Sequence, residues 1–369
     1  MAEILVFGYY GFHNAGDEAI LSGMLQALRE LAPDVSVTVV SGTAAETRDM
    51  HGAKAISRGA VREIWQAIGR ADLVIFGGGS LLQDVTSSRS LSYYLSLVVM
   101  AKARAKPVLF YAQGIGPISG ILGKSLIPLV VNTVDAISVR DRESAETLRR
   151  LGVRRPPITV TADPALGLGP SDPVRGAELL AAAGVDLSRP VIGVSVRPWK
   201  QWERQLEPVL ARALDELIRE TGAQVAFLPM QQQSKDVDAA TVVARLMKEP
   251  AQVLTGPYTH VQLQALIARC NLLIGMRYHA LVFAAMNGVP LVGLSYDPKN
   301  DAFLRMIGEK AAGSTGRLNA GLLTTAARQA LAEAPAFRER LLQRMAELTP
   351  LSRKNAQLAI DLLKRRDRQ

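Results

Sequence analysis

Two polar segments in the second half of the chain carry the residue types best suited to bind a small anion. Arg277 and His279 follow an apolar strand predicted over residues 272–275, and Lys299 follows the strand predicted over residues 290–294. Arginine offers a planar fork of donors, lysine a compact charge, and histidine a proton that is labile near neutral pH. A helix predicted to begin at residue 280 adds its dipole and its first amides. The pattern therefore predicts a site for a polyanion.

Each of these residues also has a plain structural interpretation. A lone histidine is more often a hydrogen-bonded core or surface residue than a functional one, and Lys299 also fits a solvated loop. The neighbouring Arg277, at a predicted helix start, favours a functional His279. Arg197 and Trp199, just past the first strand of the second half, suit a phosphate and a sugar face. For this pair, substrate contact and a structural turn both stay open.

Glycine-rich turns follow three strands of the first half and predict a groove lined by backbone. The first turn, residues 8–16, departs from the G-x-G-x-x-G spacing, so a nicotinamide cofactor is not expected. The alternatives there are a turn with a capping aspartate or a sugar or phosphate contact. The groove suits an extended glycan acceptor, since such turns bind anions or sugar hydroxyls when they do not merely allow close packing. Its candidate binding residues are Asn14, Asp17, Gly78, Gly79, Ser80 and Gln113.

Arg140 is the candidate cation of the first half. It stands at the end of the strand predicted over residues 136–139, the edge at which parallel sheets bind ligands. Arg142 falls in the first turn of the following helix and is the weaker candidate. An ion pair of Arg140 with Asp141 or Asp163 is the structural alternative.

These residues are positioned by a regular alternation of short apolar strands and amphipathic helices, which indicates parallel sheets with helices on both faces. With 369 residues, the chain is long enough for two domains. The predicted strands are residues 3–8, 36–40, 73–77, 107–112, 136–139 and 158–161, then 191–196, 224–228, 251–254, 272–275 and 290–294. The predicted helices are 17–31, 61–67, 91–105, 122–131 and 142–151, then 175–183, 203–221, 235–247, 261–268, 280–287, 302–307, 322–348 with breaks at Pro335 and Pro350, and 352–365.

A Pro- and Gly-rich segment, residues 162–173, reads as an interdomain linker. We therefore expect an N-terminal Rossmann-like domain over residues 1–168 on the acceptor side and a C-terminal one over 173–345 on the donor side. A C-terminal helix is expected over residues 346–369. The fold class predicted is α/β, with two doubly wound domains that face each other across a cleft.

Composition narrows the class of partner. The formal net charge of +9 suits phosphorylated substrates or anionic lipid, whereas scattered basic residues and 5% aromatic content argue against nucleic acid. The single Cys270 excludes an internal disulfide, and the histidine spacing favours no metal. The first seven residues look like a strand rather than a signal peptide, so we expect a soluble, cytoplasmic protein. Its basic end, residues 364–368, fits either contact with the inner face of the membrane or a solvated helix tail.

Taken in order, these motifs resemble the polysaccharide pyruvyl transferases, in particular the bacterial type that acts on cell-wall glycans. Singly they are weak, but their order and spacing over most of residues 5–300 are fairly specific. The matching pieces are Gly11 to Asp17, Gly77-Gly78-Gly79-Ser80, Gly114-Ile115-Gly116-Pro117, Val139-Arg140-Asp141, Asp163-Pro164, Gly193-Val194-Ser195-Val196-Arg197, Gly275-Met276-Arg277-Tyr278-His279, and Lys299.

The resemblance implies a fold like that of the GT-B glycosyltransferases and transfer of a pyruvyl group from phosphoenolpyruvate to a sugar. For the cell-wall type, it implies an N-acetylmannosamine residue of a lipid-linked disaccharide as acceptor and a ketal bridging O4 and O6. The pyruvylated polymer then anchors surface-layer proteins. By position, Arg140, His279 and Lys299 would act on the donor, with Arg277 beside them. Phosphoenolpyruvate is a co-substrate, and neither cofactor nor metal is implied.

The chemistry fits the residues, because Arg140, Arg277 and Lys299 can neutralise a carboxylate and a phosphate. His279 is the candidate acid for the enol C3 proton. Asp17 and Asp84 are candidates for the base that activates the acceptor hydroxyl. Two other functions stay open: a nucleotide-sugar glycosyltransferase on the same scaffold, and a non-catalytic glycan-binding protein.

Overall fold

The computed structural model of the chain describes residues 2–84, 88–198, 203–231, 235–314 and 318–366. Trp199 and the last residues of the basic C-terminal end, 367–369, lie outside the described residues. The chain forms two compact units. Unit 1 consists of residues 1–12, 17–168 and 348–369, and unit 2 of residues 13–16 and 169–347.

Unit 1 is a parallel sheet covered by helices. Its strands are β1 (Glu3–Phe7), β2 (Ser36–Ser41), β3 (Lys54–Ser57), β4 (Leu73–Phe76), β5 (Gly79–Leu82), β6 (Val108–Ile115), β7 (Ala136–Val139) and β8 (Ile158–Val160). Its helices are α1 (Ala15–Leu31), α2 (Ala44–His51), α3 (Val61–Arg70), α4 (Ser88–Ala103), α5 (Ile121–Val131) and α6 (Arg142–Arg150), followed by a 3₁₀ helix, Pro164–Leu168. The strand order is β3-β2-β1-β4-β6-β7-β8, with β5 paired to β6.

The sheet of unit 1 is buried on both faces, which explains why its strands are continuous apolar runs. Side chains of one strand alternate between the faces, so Leu5 and Phe7 pack with the layer of α3 to α6. Ile4 and Val6 point to the other face, where α1 and the end of the C-terminal helix cover them. Ala356 and Ala359 of that helix are fully buried there.

Unit 2 repeats the architecture. Its strands are β9 (Val191–Ser195), β10 (Gln224–Phe227), β11 (Ala251–Val253), β12 (Leu272–Gly275), β13 (Leu291–Ser295) and β14 (Gly313–Ser314). Its helices are α7 (Pro173–Ala182), α8 (Glu203–Thr221), α9 (Lys235–Leu246), α10 (His260–Ala268), α11 (Tyr278–Met286), α12 (Pro298–Met306), α13 (Ala320–Ala332) and α14 (Ala334–Arg366), the last of which continues into unit 1. The parallel strand order, β11-β10-β9-β12-β13-β14, is that of a Rossmann fold, and ligands of such folds bind where the order reverses.

Local signals in the sequence start several helices. Asp297 caps α12 by accepting a hydrogen bond from the Lys299 amide at 3.1 Å, with Pro298 at the first helical position. Asp141 caps α6 in the same way through the Ser144 amide at 2.6 Å. These caps fix the chain where candidate site residues lie.

The structure differs from the sequence predictions in several places. Four short elements, α2, β3, β5 and β14, were not predicted. The predicted break at Pro335 is confirmed at the α13–α14 junction, whereas the break at Pro350 is wrong because α14 continues through it. Ser352 and Asn355, just beyond Pro350, are buried, so packing offsets the backbone bond that proline cannot make.

The predicted linker is also more ordered than expected. Within residues 162–173, the 3₁₀ helix Pro164–Leu168 is mostly buried and belongs to unit 1. The described part of the predicted last helix, residues 346–366, is the second part of α14, and its buried residues pack on the sheet of unit 1. The assignment of acceptor and donor sides to the two halves stays a prediction, as does the cleft.

Candidate functional site

The candidate site of unit 2 lies where β9 and β12 end, the point at which the strand order reverses. Arg277 follows β12 and begins α11, and its guanidinium binds the buried carboxylate of Asp236 at the start of α9. Nε donates to Asp236 Oδ2 at 2.8 Å, and Nη2 donates to Asp236 Oδ1. Nη2 also donates to Gln231 Oε1 at 3.3 Å. The Arg277 guanidinium, which was predicted to neutralise the donor, is thus bound by a carboxylate of the protein itself. A donor-binding role for Arg277 stays a prediction.

His279 lies in the first turn of α11 and is half-buried. Its ring packs against the backbone of Gly16, because a Cβ built on Gly16 would collide with imidazole Nδ1 and Cγ. The ring of Tyr278 meets it edge-on, with centroids 5.0 Å apart. The imidazole is therefore confined on two sides by groups that fix its orientation.

The first glycine-rich turn supplies the residues that reach this histidine. Asn14 forms an antiparallel bridge with Gln231, and the Ala15 amide donates to Met230 O at 2.9 Å. The Gly16 amide donates to the Asn14 side-chain oxygen at 3.1 Å. The structure thus brings Asn14 into the same unit as His279, although about 265 residues separate them in the chain.

Arg197 and Lys299 share one neighbour, Tyr296. Arg197 Nη1 donates to the Tyr296 hydroxyl at 3.3 Å, and its guanidinium carbon lies 5.1 Å from the ring centroid. Lys299 Nζ lies 5.8 Å from that centroid and 3.3 Å from Asp297 Oδ2. Two of the basic residues predicted to handle an anion are therefore grouped around one phenol.

The electrostatics of this group show in the pKa of Tyr296. Burial raises that pKa, but the positive charges of Lys299, Arg197 and Arg277 outweigh burial and leave it below its ordinary value. An environment that favours a phenolate also favours other anions placed there. The arrangement can bind a phosphate or a carboxylate and offer it the phenol proton.

Sequence reasoning did not assign roles to Tyr296 or Asp236. Tyr296 lies three residues before Lys299, so its position near a predicted cation was the available signal. Asp236 carried no such signal, because its partner Arg277 is 41 residues away in the chain.

In unit 1, the predicted cation Arg140 is buried, with 2% of its surface exposed. Its Nη1 donates to Asp163 Oδ2 at 3.0 Å, and Nε lies 3.9 Å from Asp141 Oδ2. Its Nη2 donates to Ser80 Oγ at 3.4 Å. The structure therefore contains the ion pair that was the alternative to a ligand-binding Arg140. Its role on the donor, and a pocket shared with His279, stay predictions.

The glycine-rich loops of unit 1 are tied together by side chains. Gln113 is buried, and its amide nitrogen donates to Phe76 O at 3.0 Å and to Gly77 O. Gly114 packs on the Arg140 guanidinium so closely that a Cβ there would clash. Gln113 thus holds the end of β4, and its predicted contact with substrate stays a prediction.

Gly78 and Gly79 allow close packing at the same edge of the sheet. A Cβ on Gly78 would lie 2.9 Å from the Ile20 side chain. Gly79 has a φ of +101° and lies against Asp17, whose Oδ1 would be 3.0 Å from a Cβ there. With Ser80 the residues enter β5, so close packing accounts for part of this glycine run.

The two candidate bases differ. The Asp84 carboxylate accepts from the amides of Ser119 at 2.9 Å and Gly120 at 2.7 Å, just before α5. Burial alone would raise its pKa, but these hydrogen bonds outweigh burial and lower it. A carboxylate so engaged is a weak base, which leaves Asp17 as the better candidate.

The described residues contain no group of three or more His, Cys, Asp or Glu side chains that could hold a metal ion. Cys270, between α10 and β12, is buried, as its position in the sequence indicated. Within the same described ranges, no helix is long and apolar enough to cross a membrane.

The two units define the class of α/β proteins with two Rossmann-like domains that includes the GT-B glycosyltransferases. MnaA of S. aureus, solved with UDP, has a TM-score of 0.70 and 13% identity, over 99% of this chain and 96% of its own. HepE of Anabaena, solved with UDP and glucose, has a TM-score of 0.67 and 13% identity, over 99% of this chain and 100% of its own. A glycosyltransferase from Rickettsia africae has a TM-score of 0.68 and 12% identity, over 98% of this chain and 99% of its own. At these identities the likeness shows the fold alone, and it confirms the predicted fold class.

The sequence gives the family. The model of the polysaccharide pyruvyl transferase family matches residues 14–298, and the chain belongs to that family. The amylovoran biosynthesis protein AmsJ of Erwinia amylovora is 23% identical over 252 residues, 64% of this chain. The match spans 60% of the length of AmsJ, less than two thirds of that relative. Asn14, Arg140, Arg197, Arg277 and His279 fall inside the family match, and Lys299 follows its last residue.

Proposed function

We propose that the protein is an enzyme that transfers a pyruvyl group from phosphoenolpyruvate to a sugar of a cell-wall polysaccharide precursor. The acceptor is a lipid-linked N-acetylmannosamine residue, the product a 4,6-ketal, and the second product phosphate. The observation that carries the proposal is the group of Arg197, Lys299 and Tyr296 in unit 2 of a chain of this family. A donor with a phosphate and a carboxylate needs such a set of cations and donors.

The reaction begins with a proton. His279, as imidazolium, gives its proton to C3 of phosphoenolpyruvate, and the electron pair of the double bond forms the new C–H bond. C2 then becomes electron-deficient, and one sugar hydroxyl oxygen attacks it. This step yields a tetrahedral carbon bearing methyl, carboxylate, phosphate and sugar oxygen.

The second half of the reaction releases phosphate. The bond from C2 to the phosphate oxygen breaks, phosphate leaves with the electron pair, and the second sugar hydroxyl closes the ring. One hydroxyl proton replaces the proton that His279 gave, and the other leaves on phosphate. Arg197 and Lys299 offset the growing negative charge, and the Tyr296 hydroxyl donates to the departing oxygen. Asp17 is the proposed base for the acceptor.

The fold supports this scheme without deciding the donor, since related folds bind UDP. The test is incubation with phosphoenolpyruvate and a synthetic lipid-linked aminosugar disaccharide. We expect release of phosphate and a mass gain of one pyruvic acid less one water. Transfer from a UDP-sugar instead would show a glycosyltransferase. Binding of the acceptor without turnover of either donor would show a glycan-binding protein.

A further inference from the structure

Helix α5 in unit 1 presents an apolar face to solvent. Ile121 is 85% exposed, Leu122 55% and Leu129 70%, the first and last being the most exposed large apolar side chains among the described residues. Positions 121, 122 and 129 fall on one side of an α-helix, since residues seven and eight apart lie above one another. Single exposed leucines are ordinary, but a stripe along one helix marks an interaction surface.

The segment of the chain that contains this stripe is basic. The sequence contains no Asp or Glu from residue 85 to residue 134, a segment that includes α4 and α5. The same segment contains five basic residues, which are Arg89, Lys102, Arg104, Lys106 and Lys124. Lys124 is exposed on α5 itself. Two acidic residues, Asp84 and Asp135, border the segment, and Asp135 pairs with Lys102 at 2.8 Å. An apolar stripe in a segment whose own charges are all positive is complementary to an anionic lipid surface.

The neighbouring helices extend the surface. α4 packs against both α3 and α5, and its Val99 is 54% exposed. On α3, Trp65 is 40% exposed, and the guanidinium of Arg104 lies over its ring at 4.9 Å. Tryptophan beside a basic group is the residue pair favoured at the level of lipid headgroups.

The stripe lies next to the ligand-facing edge of unit 1. α5 follows the carboxyl end of β6, where Gln113 lies. Asp84 fixes the entry to α5 through the amides of Ser119 and Gly120. A membrane that contacts Ile121 and Leu122 would therefore lie next to the loops predicted to bind the acceptor.

A second copy of the chain is the competing occupant, and charge argues against it. A twofold interface places a patch against itself, so the basic residues of one copy would meet those of the other. Like charges brought together at an interface weaken association. An anionic bilayer instead attracts the basic residues and accepts the apolar side chains.

We infer that the α3–α5 face of unit 1, centred on Ile121, Leu122 and Leu129, docks on an anionic lipid bilayer. This surface lies elsewhere than the basic C-terminal end that the sequence suggested. The inference goes beyond the transfer reaction, because binding to lipid needs neither donor nor acceptor. It accounts for how a chain without a spanning helix among its described residues reaches a lipid-linked substrate.

The test is flotation of the full chain with vesicles of phosphatidylcholine alone or mixed with phosphatidylglycerol. We expect flotation with the mixed vesicles and little with the neutral ones. Raising salt from about 0.1 M to about 1 M shortens the screening length from about 10 Å to about 3 Å and should weaken it. The variant Ile121→Asn/Leu122→Asn/Leu129→Asn should bind mixed vesicles at least about tenfold more weakly, and Lys124→Glu should weaken binding as well.

The matched control is Val174→Asn/Val261→Asn/Leu322→Asn, which changes three exposed apolar residues of unit 2. It should bind as the wild type, and thermal unfolding should show both triple variants folded. Mixed-vesicle binding unchanged in the α5 variant, or absent in the wild type, would overturn the inference. So would an oligomer of the wild type that the α5 variant dissolves, since the occupant would then be a second copy.

A second readout separates this inference from the proposed reaction. With a water-soluble disaccharide acceptor, the α5 variant should release phosphate from phosphoenolpyruvate at the wild-type rate. Loss of vesicle binding with that rate intact supports the docking surface. Vesicle binding in a wild type that does not consume phosphoenolpyruvate would leave the surface standing and remove the proposed donor.

Discussion

The backbone of Gly16 lies directly against the imidazole of His279, where no side chain at position 16 would fit. The glycine stands in the first turn of α1 and the histidine in the first turn of α11. Gly16 has a φ that any residue adopts, so its side-chain-free backbone is required by His279 and not by the turn. The glycine-rich turn after β1 therefore acts on the proposed acid.

Gly16→Ala tests this relationship. The methyl group would displace the imidazole, and we expect phosphate release from phosphoenolpyruvate to fall by about 10²-fold, since small misplacements of catalytic groups have such effects. Alanine suits a helix, so the variant should stay folded, with about 1–3 kcal/mol of overpacking at most. The matched control is Gly59→Ala, whose Cβ would meet nothing closer than Ser57 Oγ at 3.8 Å. Equal rates for the two variants would contradict a positioning role.

Tyr296→Phe removes the phenol that Arg197 contacts, and kcat should fall by about 10²-fold, as for loss of a proton donor. The pKa of Tyr296 is lowered by its cations, so the proton needed for donation is lost as pH rises through a value below about 10. Wild-type activity should therefore fall at alkaline pH. Lys299→Met removes one cation, so in this variant the fall in activity should begin at a higher pH.

The phenolate itself is measured by ultraviolet absorbance, as the difference between wild type and Tyr296→Phe. Because the folded pKa is depressed, Tyr296 stabilises the fold above its ordinary pKa, and this contribution is lost as pH falls through the depressed value. A Tyr296 that titrates at or above about 10 would contradict the electrostatic description of the group.

The Arg140–Asp163 pair should contribute strongly to the stability of unit 1. Both side chains are 2% exposed, so Asp163→Asn leaves the buried guanidinium with only the more distant carboxylate of Asp141 and should cost about 3–5 kcal/mol in urea unfolding. Arg140→Met/Asp163→Leu should lose less than the two single variants added together. Glu178→Gln, which breaks an exposed pair with Arg175, should cost less than about 1 kcal/mol. An Asp163→Asn cost as small as that control would mean that the pair is not structural.

Cys270 should be inert in the folded protein. Burial raises the pKa of its thiol to about 12, so its thiolate is about 10³-fold scarcer near pH 8 than that of an ordinary cysteine. Because the folded pKa is raised, the neutral thiol favours the fold below its ordinary pKa, and that contribution is lost as pH rises towards about 12. An aromatic disulfide reagent should react with one thiol in denaturant and with almost none in native protein. Fast reaction of native protein would contradict the burial.

Much of the fold was accessible from the sequence because its strands are continuous apolar runs between turn residues. The strand Leu272–Gly275 and the helix Glu203–Thr221 have the predicted bounds. α2 was missed because its sequence, AAETRDMH, has few apolar residues to show a helical period. At Pro350 the local sequence was misleading, because proline usually ends a helix. Burial of the residues that follow it keeps α14 continuous.

The candidate site was accessible only as separate pieces. Four residues were found from their positions after strands, which meet at one edge of a parallel sheet. They are Arg197, Arg277, His279 and Lys299. The partners that define them, Tyr296, Asp236 and Gly16, depend on contacts between distant segments that no local pattern records. For Arg140 the sequence allowed both a ligand-binding role and an ion pair. Only the structure shows that Arg140 is buried against Asp163.

The proposed reaction is tested by measuring phosphate release from phosphoenolpyruvate with the aminosugar acceptor, compared between wild type and His279→Ala. The wild type should release phosphate in step with ketal formation. The variant should release it about 10²–10⁴-fold more slowly, the usual contribution of a general acid, with acceptor binding retained. Wild-type release by His279→Ala, or no release by the wild type, would contradict the proposed reaction.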